Sequence, residues 1–160
     1  MSIVLFRVDE RLIHGQVVIG WGHELRPERY VVVDDHLAGS AWEQELYQLG
    51  GDGAEVVFVS TEAAKRALDS YLGDATRTIL LTRDVGTMRR LAEGGAMRGR
   101  TVNFGGLHHG PGREKVLTYL YLAPSDVEDV RRMMHAGVRV QARDLPDAPR
   151  VDLADALDLK

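Results

Sequence analysis

One histidine, two arginines and two carboxylates crowd the segment Arg7-Val8-Asp9-Glu10-Arg11-Leu12-Ile13-His14-Gly15-Gln16-Val17. An imidazole can act as nucleophile or general base, because a ring nitrogen trades a lone pair for a proton near neutral pH. His14 directly precedes Gly15, and Gln16-Val17-Val18-Ile19-Gly20-Trp21 reads as the start of a helix. A histidine at such a junction faces the unpaired N–H groups of a helix N-terminus, which hold phosphate oxygens through hydrogen bonds and partial positive charge. The amides of Gly15, Gln16 and Val17 would form that cradle, with Gly15 allowing close backbone approach. Arg11 adds a planar, permanently charged donor for phosphoryl oxygens, and Asp9 can orient either Arg11 or a ring nitrogen of His14. These are the parts of a phosphohistidine site. The same residues would also suit a wetted surface loop in which the ion pairs contribute little. Residue types alone leave both readings open.

Asp34-Asp35-His36 looks like an acidic metal or receiver-type site. A receiver, however, needs its acidic pair after the first strand, an acceptor Asp after the third and a Lys after a later one. Ser60 stands after the third strand and no matching Lys follows. Asp34 and Asp35 are therefore expected to line the rim near the first loop or to cap the next helix, with no catalytic step. Asn103, at a strand end, and Gly105-Gly106 extend the same expected rim, although Asn103 suits a turn equally well. Gly105 to Gly112 reads as a flexible loop able to close over the first. Adjacent His108 and His109 lack a carboxylate at a suitable offset, so no metal site is expected. Trp21 and Trp42 are expected to be half-buried packing residues, and the scattered methionines to fill gaps in the core. Arg89, Arg90, Arg98 and Arg100 make a modest basic cluster with a solvated face as its default reading.

Seven short apolar runs have to position these groups: Ile3–Phe6, Tyr30–Val33, Val56–Val59, Thr78–Leu81, Thr101–Phe104, Val116–Leu122 and Val138–Val140. The first four are continuous, as in strands buried on both faces of a parallel sheet, whereas Val116–Leu122 alternates like an edge or antiparallel strand. Helical patterns lie between them. Ser125 and Glu128 form a capping box ahead of Val127, Val130 and Met134, and Gly137 is placed to end that helix. Asp84 can cap a helix carrying Val85, Met88 and Leu91; Thr61 opens another with Ala64, Leu68 and Leu72; a last short helix covers Asp152–Leu157. Parallel strands need crossover connections, so the fold class is α/β, a single domain over residues 1–160 with an open, mainly parallel sheet of about six or seven strands and helices on both faces. In such sheets ligands bind beyond the carboxyl ends of the strands, which puts the loop after the first strand in the favoured place.

Composition narrows the function. Lys plus Arg number 20 and Asp plus Glu 24, a formal charge of −4, which argues against a nucleic-acid partner. Cysteine is absent, excluding disulfides, thiolate metal sites and thiol nucleophiles. The run Ile3–Phe6, cut by charges from Arg7 onward, is too short for a signal peptide or membrane span, so a cytoplasmic protein is expected. No P-loop or GxGxxG loop follows the first strand, which disfavours a small nucleotide-binding domain.

The segment Arg7 to Val17 resembles the signature of the IIB component of the mannose, fructose and sorbose family of the bacterial phosphoenolpyruvate-dependent sugar phosphotransferase system. The likeness continues through Val31 to Asp35, Asn103 to Leu107, the Asp126–Gly137 helix and Arg143 to Pro146, in order along essentially the whole chain. The resemblance implies an open, mainly parallel α/β fold. It implies that His14 accepts a phosphoryl group on Nδ1 from a IIA phosphodonor and passes it to a sugar presented by the membrane IIC/IID permease. Arg11 then matches the family's loop arginine and Asp9 its preceding acid. The implied protein is a phosphotransferase subunit needing no cofactor, and is peripherally associated with the inner membrane through the permease subunits. A regulatory phosphoprotein of a system without sugar transport would share the same site chemistry. His109 departs from the apolar or aromatic residue common in the family. The sequence fixes neither the sugar nor whether the chain forms a homo-oligomer.

Overall fold

The continuous valine, isoleucine and leucine runs build the middle of a sheet, where both faces are covered. A computed structural model describes residues 2–159. The elements run β1 (Ile3–Val8), a π-helix (Gln16–Gly22) continued by α1 (His23–Leu25), β2 (Arg29–Val33), α2 (Asp35–Ala38), α3 (Ala41–Gln48), β3 (Glu55–Val59), α4 (Thr61–Gly73), β4 (Thr78–Thr82) and α5 (Val85–Ala92). Then follow β5 (Thr101–Phe104), β6 (Glu114–Leu117), β7 (Leu120–Leu122), α6 (Pro124–His135), β8 (Arg139–Ala142), β9 (Val151–Asp152) and α7 (Leu153–Ala156).

Seven strands form one sheet in the order β3-β2-β4-β1-β5-β8-β9, parallel throughout except for the antiparallel edge strand β9. β1 lies at its centre. After β1 the chain builds one half of the sheet through β2, β3 and β4, then crosses to β5 and β8 on the other side. The loops following β1 and β5 therefore face each other at the reversal point, where a ligand crevice is expected. One face carries a core of Phe6, Val8, Val31, Leu80, Val102 and Val140 packed against residues of α4, α5, α6 and α7. On the other face Tyr30, Val32, Ile79 and Leu81 pack under Val17 and Val18 of the π-helix and Leu37 of α2.

Several expectations need correction. β1 runs to Val8 rather than stopping at Phe6, because Arg7 is buried within the strand. β3 is an edge strand, so Phe58 and Val59 are only half-buried. Val116–Leu122 is not one strand: β6 and β7 form a separate antiparallel hairpin. The expected capping box of Ser125 and Glu128 is also displaced. Pro124 occupies the first helical turn of α6, Ala123 is the N-cap, and the Asp126 carboxylate accepts the Ala123 N–H at 2.9 Å. Proline has its φ preset for that position and no N–H to lose, so it sets the start of the helix. Asp84 does cap α5, accepting from Thr87 N at 2.7 Å, and Gly137 ends α6 at φ +85°. Thr61 opens α4 as expected, and Ser60 before it is the cap. The last helix spans only Leu153–Ala156, with Asp152 as its cap. Trp42 is 68% exposed on α3 and packs in no core, whereas Trp21 is buried. No helix among the described residues is long and apolar enough to cross a membrane.

Candidate functional site

The site begins with a buried carboxylate. Asp9 follows β1 directly, is fully buried, and is anchored by its N–H to the Thr82 carbonyl at 3.0 Å. Its Oδ2 lies 3.3 Å from Arg7 Nη2, 3.2 Å from His14 Nε2 and 3.3 Å from the Gly106 amide nitrogen. Oδ1 accepts the Arg11 amide at 3.1 Å and stands 3.4 Å from Arg11 Nε. Burial alone would push this carboxyl up, but His14, Arg7 and the Arg11 backbone outweigh it and hold Asp9 well below the usual carboxylate range. Asp9 is thus an anion around which one strand side chain, two loop side chains and two amides are arranged.

His14 returns to Asp9 because the chain reverses at Leu12, which takes a left-handed conformation with φ +57°. A leucine adopts that geometry only under outside constraint. Here the constraint is visible: its side chain is fully buried in the core and its N–H donates to the Asp9 carbonyl at 3.0 Å. The ring of His14 is oriented by its Nε2 edge. Nε2 is buried and close to Asp9 without an aligned hydrogen bond, so the 16% exposure of the side chain lies on its other atoms, and Nδ1 is neither hydrogen-bonded to the protein nor among the buried unpaired atoms. Behind it, the His14 carbonyl accepts Val18 N–H at 2.9 Å as the π-helix begins, while the Gly15, Gln16 and Val17 amides donate to no protein acceptor among the described residues. Arg11 is one-third exposed, with Nη2 donating to Gln16 Oε1 at 2.7 Å.

Beneath this loop lies a second arginine for which the sequence suggested no role. Arg7 is fully buried; Nη1 donates to Asn103 Oδ1 at 2.7 Å and to the Arg143 carbonyl at 2.8 Å, and Nη2 reaches the Asp144 carbonyl at 3.0 Å. Its guanidinium also lies 5.3 Å from the centre of the Trp21 ring, whose Nε1 donates to the same Asp144 carbonyl at 3.0 Å. Burial pulls the Arg7 pKa down, against Asp9 and Asp144. An arginine nevertheless stays protonated in proteins, so Arg7 is the fixed cation that makes a buried Asp9 tolerable. The available signal was a lone charge inside an otherwise apolar central strand.

Of the expected rim, Asn103, Gly105 and Gly106 meet the first loop and the two aspartates do not. Asn103 holds Arg7, and Gly106 accepts the Glu10 N–H at 2.9 Å while donating to Asp9. Asp34 caps α2 through Leu37 N at 3.0 Å, and Asp35 accepts from Thr61 N at 2.7 Å. Neither bonds to the Asp9 cluster. The Gly105–Gly112 loop is pinned rather than free at its start. Leu107 is buried and bonded in both directions to the β6–β7 hairpin, and His108 contacts Glu10 through both its backbone N–H and its ring. His109 stacks edge-on against Tyr121 at 5.5 Å. Arg89 and Arg90 of the basic cluster are paired with Glu93, Asp129 and Glu62, leaving Arg98 and Arg100 apart from them.

A hollow of about 390 Å³ opens beside Gly15, with Ile19 and Leu49 on its walls. Ile19 is 64% and Leu49 89% exposed, and Trp42 and Leu46 extend this apolar surface along α3.

The family described as the PTS system sorbose subfamily IIB component matches residues 3–160. The N-acetylgalactosamine-specific phosphotransferase enzyme IIB component 1 of Escherichia coli strain K12 is 29% identical over 156 residues, covering 96% of this chain and 98% of that protein. The mannose-specific EIIAB component of the same strain is 28% identical over 158 residues, and this chain spans only 49% of its length. Among solved structures, the IIBSor domain of the sorbose permease from Klebsiella pneumoniae superposes with a TM-score of 0.88 at 25% identity, over 99% of this chain and 97% of that one.

Two consequences can be measured. A Cβ at Gly105 would collide with Arg7 Nη2 and stand 2.6 Å from Asp9 Oδ2, both fixed, whereas one at Gly106 would meet only the movable end of Arg11 at 3.0 Å. Chemical denaturation should show Gly105→Ala losing about 1–3 kcal/mol and Gly106→Ala much less. Because Asp9 is depressed in the folded state, its contribution to stability is complete above about pH 4 and drains as pH falls below that value toward the folded pKa. Asp9→Asn should be less stable near neutrality and should lack that part of the acid-induced loss, as followed by denaturation midpoints against pH.

Proposed function

The chain belongs to the sorbose-subfamily IIB components of the phosphotransferase system, and on that premise we propose that it is a phosphocarrier whose His14 takes a phosphoryl group from a IIA donor and passes it to a sugar. The observation that carries this reading is the division of the His14 ring: Nε2 is buried against Asp9, while Nδ1 lies on the accessible side. In the first transfer the Nδ1 lone pair attacks phosphorus, and the electron pair of the donor's N–P bond returns to the donor imidazole. In the second, a sugar hydroxyl attacks, its proton leaves, and the N–P pair returns to Nδ1. Phosphoryl transfer of this kind depends on positioning and charge stabilisation more than on covalent help from the protein.

Arg11 supplies charge to the phosphoryl oxygens, because it is partly exposed and held from behind by Asp9 and Gln16. Asp9 orients the ring and Arg11. The free amides of Gly15, Gln16 and Val17 receive the remaining oxygens. Asn103, Gly105 and Gly106 support this arrangement from below. The mannose-specific relative is named as an EIIAB component, which fits a IIA donor as direct partner. Donor and acceptor must both reach the same nitrogen, so both pass over the open apolar surface beside Gly15. IIC/IID permease subunits are the acceptor-side partners, and association of the chain with the inner membrane runs through them.

Incubation with phosphoenolpyruvate, the general phosphotransfer proteins and a IIA partner should add one acid-labile phosphoryl group, absent from His14→Ala. Arg11→Ala should fold normally and transfer more slowly; a wild-type rate would remove Arg11 from the mechanism. Leu49→Asp changes a side chain that is 89% exposed, so folding should be unaffected. Its apparent KM for the phosphodonor should rise several-fold, read from initial labelling rates.

A further inference from the structure

The sheet face that carries Arg7 is covered unevenly. Arg7, Asn103 and Gln141 are cross-strand neighbours on β1, β5 and β8, and Thr101 and Arg139 stand one row below. The π-helix, α2 and α3 cover the β2–β3–β4 half of this face. Over β1, β5 and β8 the lower rows instead floor a cavity of about 560 Å³, a size suited to a small metabolite.

Its walls are basic. Arg98, Arg100, Arg139 and Arg150 line it, and none of the four has a carboxylate partner among the described residues. Arg26, Arg66, Arg77 and Arg143 likewise have no carboxylate ion-pair partner among the described residues, but here four such arginines line one cavity. Two donors are also buried without a partner: Arg100 Nη1 and Asn103 Nδ2. Asn103 is 1% exposed and lines the cavity. Its orientation is not arbitrary. Arg7 can only donate, so it requires the amide oxygen, and the NH₂ group must be directed elsewhere. A buried donor without an acceptor costs free energy comparable to a lost hydrogen bond, which an anionic or hydroxylated ligand would recover.

We infer that this cavity binds a small phosphomonoester with a hydroxylated body, at a site separate from the His14 loop. Guanidinium forks match phosphate oxygens in charge and geometry. The side chains of Thr101, Asn103 and Gln141 offer hydrogen bonds of the kind that hydroxyls take, and the start of β1 supplies an apolar wall. The inference stands on the cavity alone and does not depend on phosphoryl transfer through His14.

The test is calorimetric titration of the full chain with a hexose 6-phosphate, with inorganic phosphate and with the parent hexose. The hexose phosphate should bind saturably and more tightly than phosphate, and the hexose should give no saturable heat. Arg139 and Arg150 are both exposed, so Arg139→Gln with Arg150→Gln should leave the melting temperature in place while weakening binding at least about tenfold. Arg150→Gln alone serves as the milder variant, with a smaller loss. His14→Ala should bind as wild type does. Absence of saturable binding, equal affinity for inorganic phosphate or for the hexose, or binding lost in His14→Ala but kept in the arginine variants would overturn the proposal. None of these results bears on whether His14 carries a phosphoryl group.

Discussion

A carboxylate with no solvent exposure is the constraint on which the rest of the site depends. Burying an isolated ionised carboxylate costs several kcal/mol even after relaxation, so Asp9 is tolerable only where donors converge on it. They come from four directions: Arg7 from below, Arg11 and His14 from the same loop, and Gly106 from the loop after β5. Meeting that demand sets the local geometry. Leu12 takes its left-handed turn so that His14 can return, Gly105 lacks a Cβ so that Arg7 and Asp9 can meet, and Arg143 and Asp144 turn their carbonyls toward Arg7. Remove the carboxylate and these features lose their common purpose.

The sheet was legible from the sequence because continuous apolar runs and helical periodicity report burial directly. Asp84 and Gly137 were legible because capping and positive φ are matters of local chemistry. His14, Asp9 and Arg11 stood out as a cluster of ionisable groups in one short segment. What stayed hidden was non-local. Arg7 reads as the end of an apolar run until its partners on β5 and in the 143–144 segment are known. Asp34 was legible as either a rim residue or a helix cap, and its local contact with Leu37 N makes it the cap. Leucine at position 12 carries no preference for a left-handed turn, and no pattern separates a π-helix from an ordinary one. β6 and β7 were merged because Thr118 and Tyr119, which turn the hairpin, are themselves residues that favour strands.

The π-helix has a structural reason in its neighbours. A Cβ at Gly20 would lie 2.8 Å from Leu145 Cδ2, and one at Gly22 would lie 2.6 Å from the Tyr30 hydroxyl. The segment is thus held closely between β2 and the 145–146 turn. In that position it buries Val17 and Trp21 inward and leaves Ile19 outward. Trp21 can then reach both Arg7 and the Asp144 carbonyl, tying the helix to the arginine beneath the site. π geometry within helices is frequent at functional sites.

The position of Asp9 relative to the ring bears on how a phosphohistidine could serve two partners. Phosphorylation at Nδ1 would leave Nε2 as the only ring nitrogen able to carry a proton, and that nitrogen faces Asp9 across 3.2 Å. A proton held there makes the ring cationic and a better leaving group, which favours donation to an alcohol. A ring without it keeps the N–P bond longer, which favours survival between partners. The contact between Asp9 and Nε2 is not an aligned hydrogen bond, and Arg7, Arg11 and Gly106 share the same two oxygens. Asp9 orients the imidazole while sharing its two oxygens among these donors. With the carboxylate on one edge, a phosphoryl group on the other would be separated from it by the ring itself, keeping apart two anions that would otherwise repel.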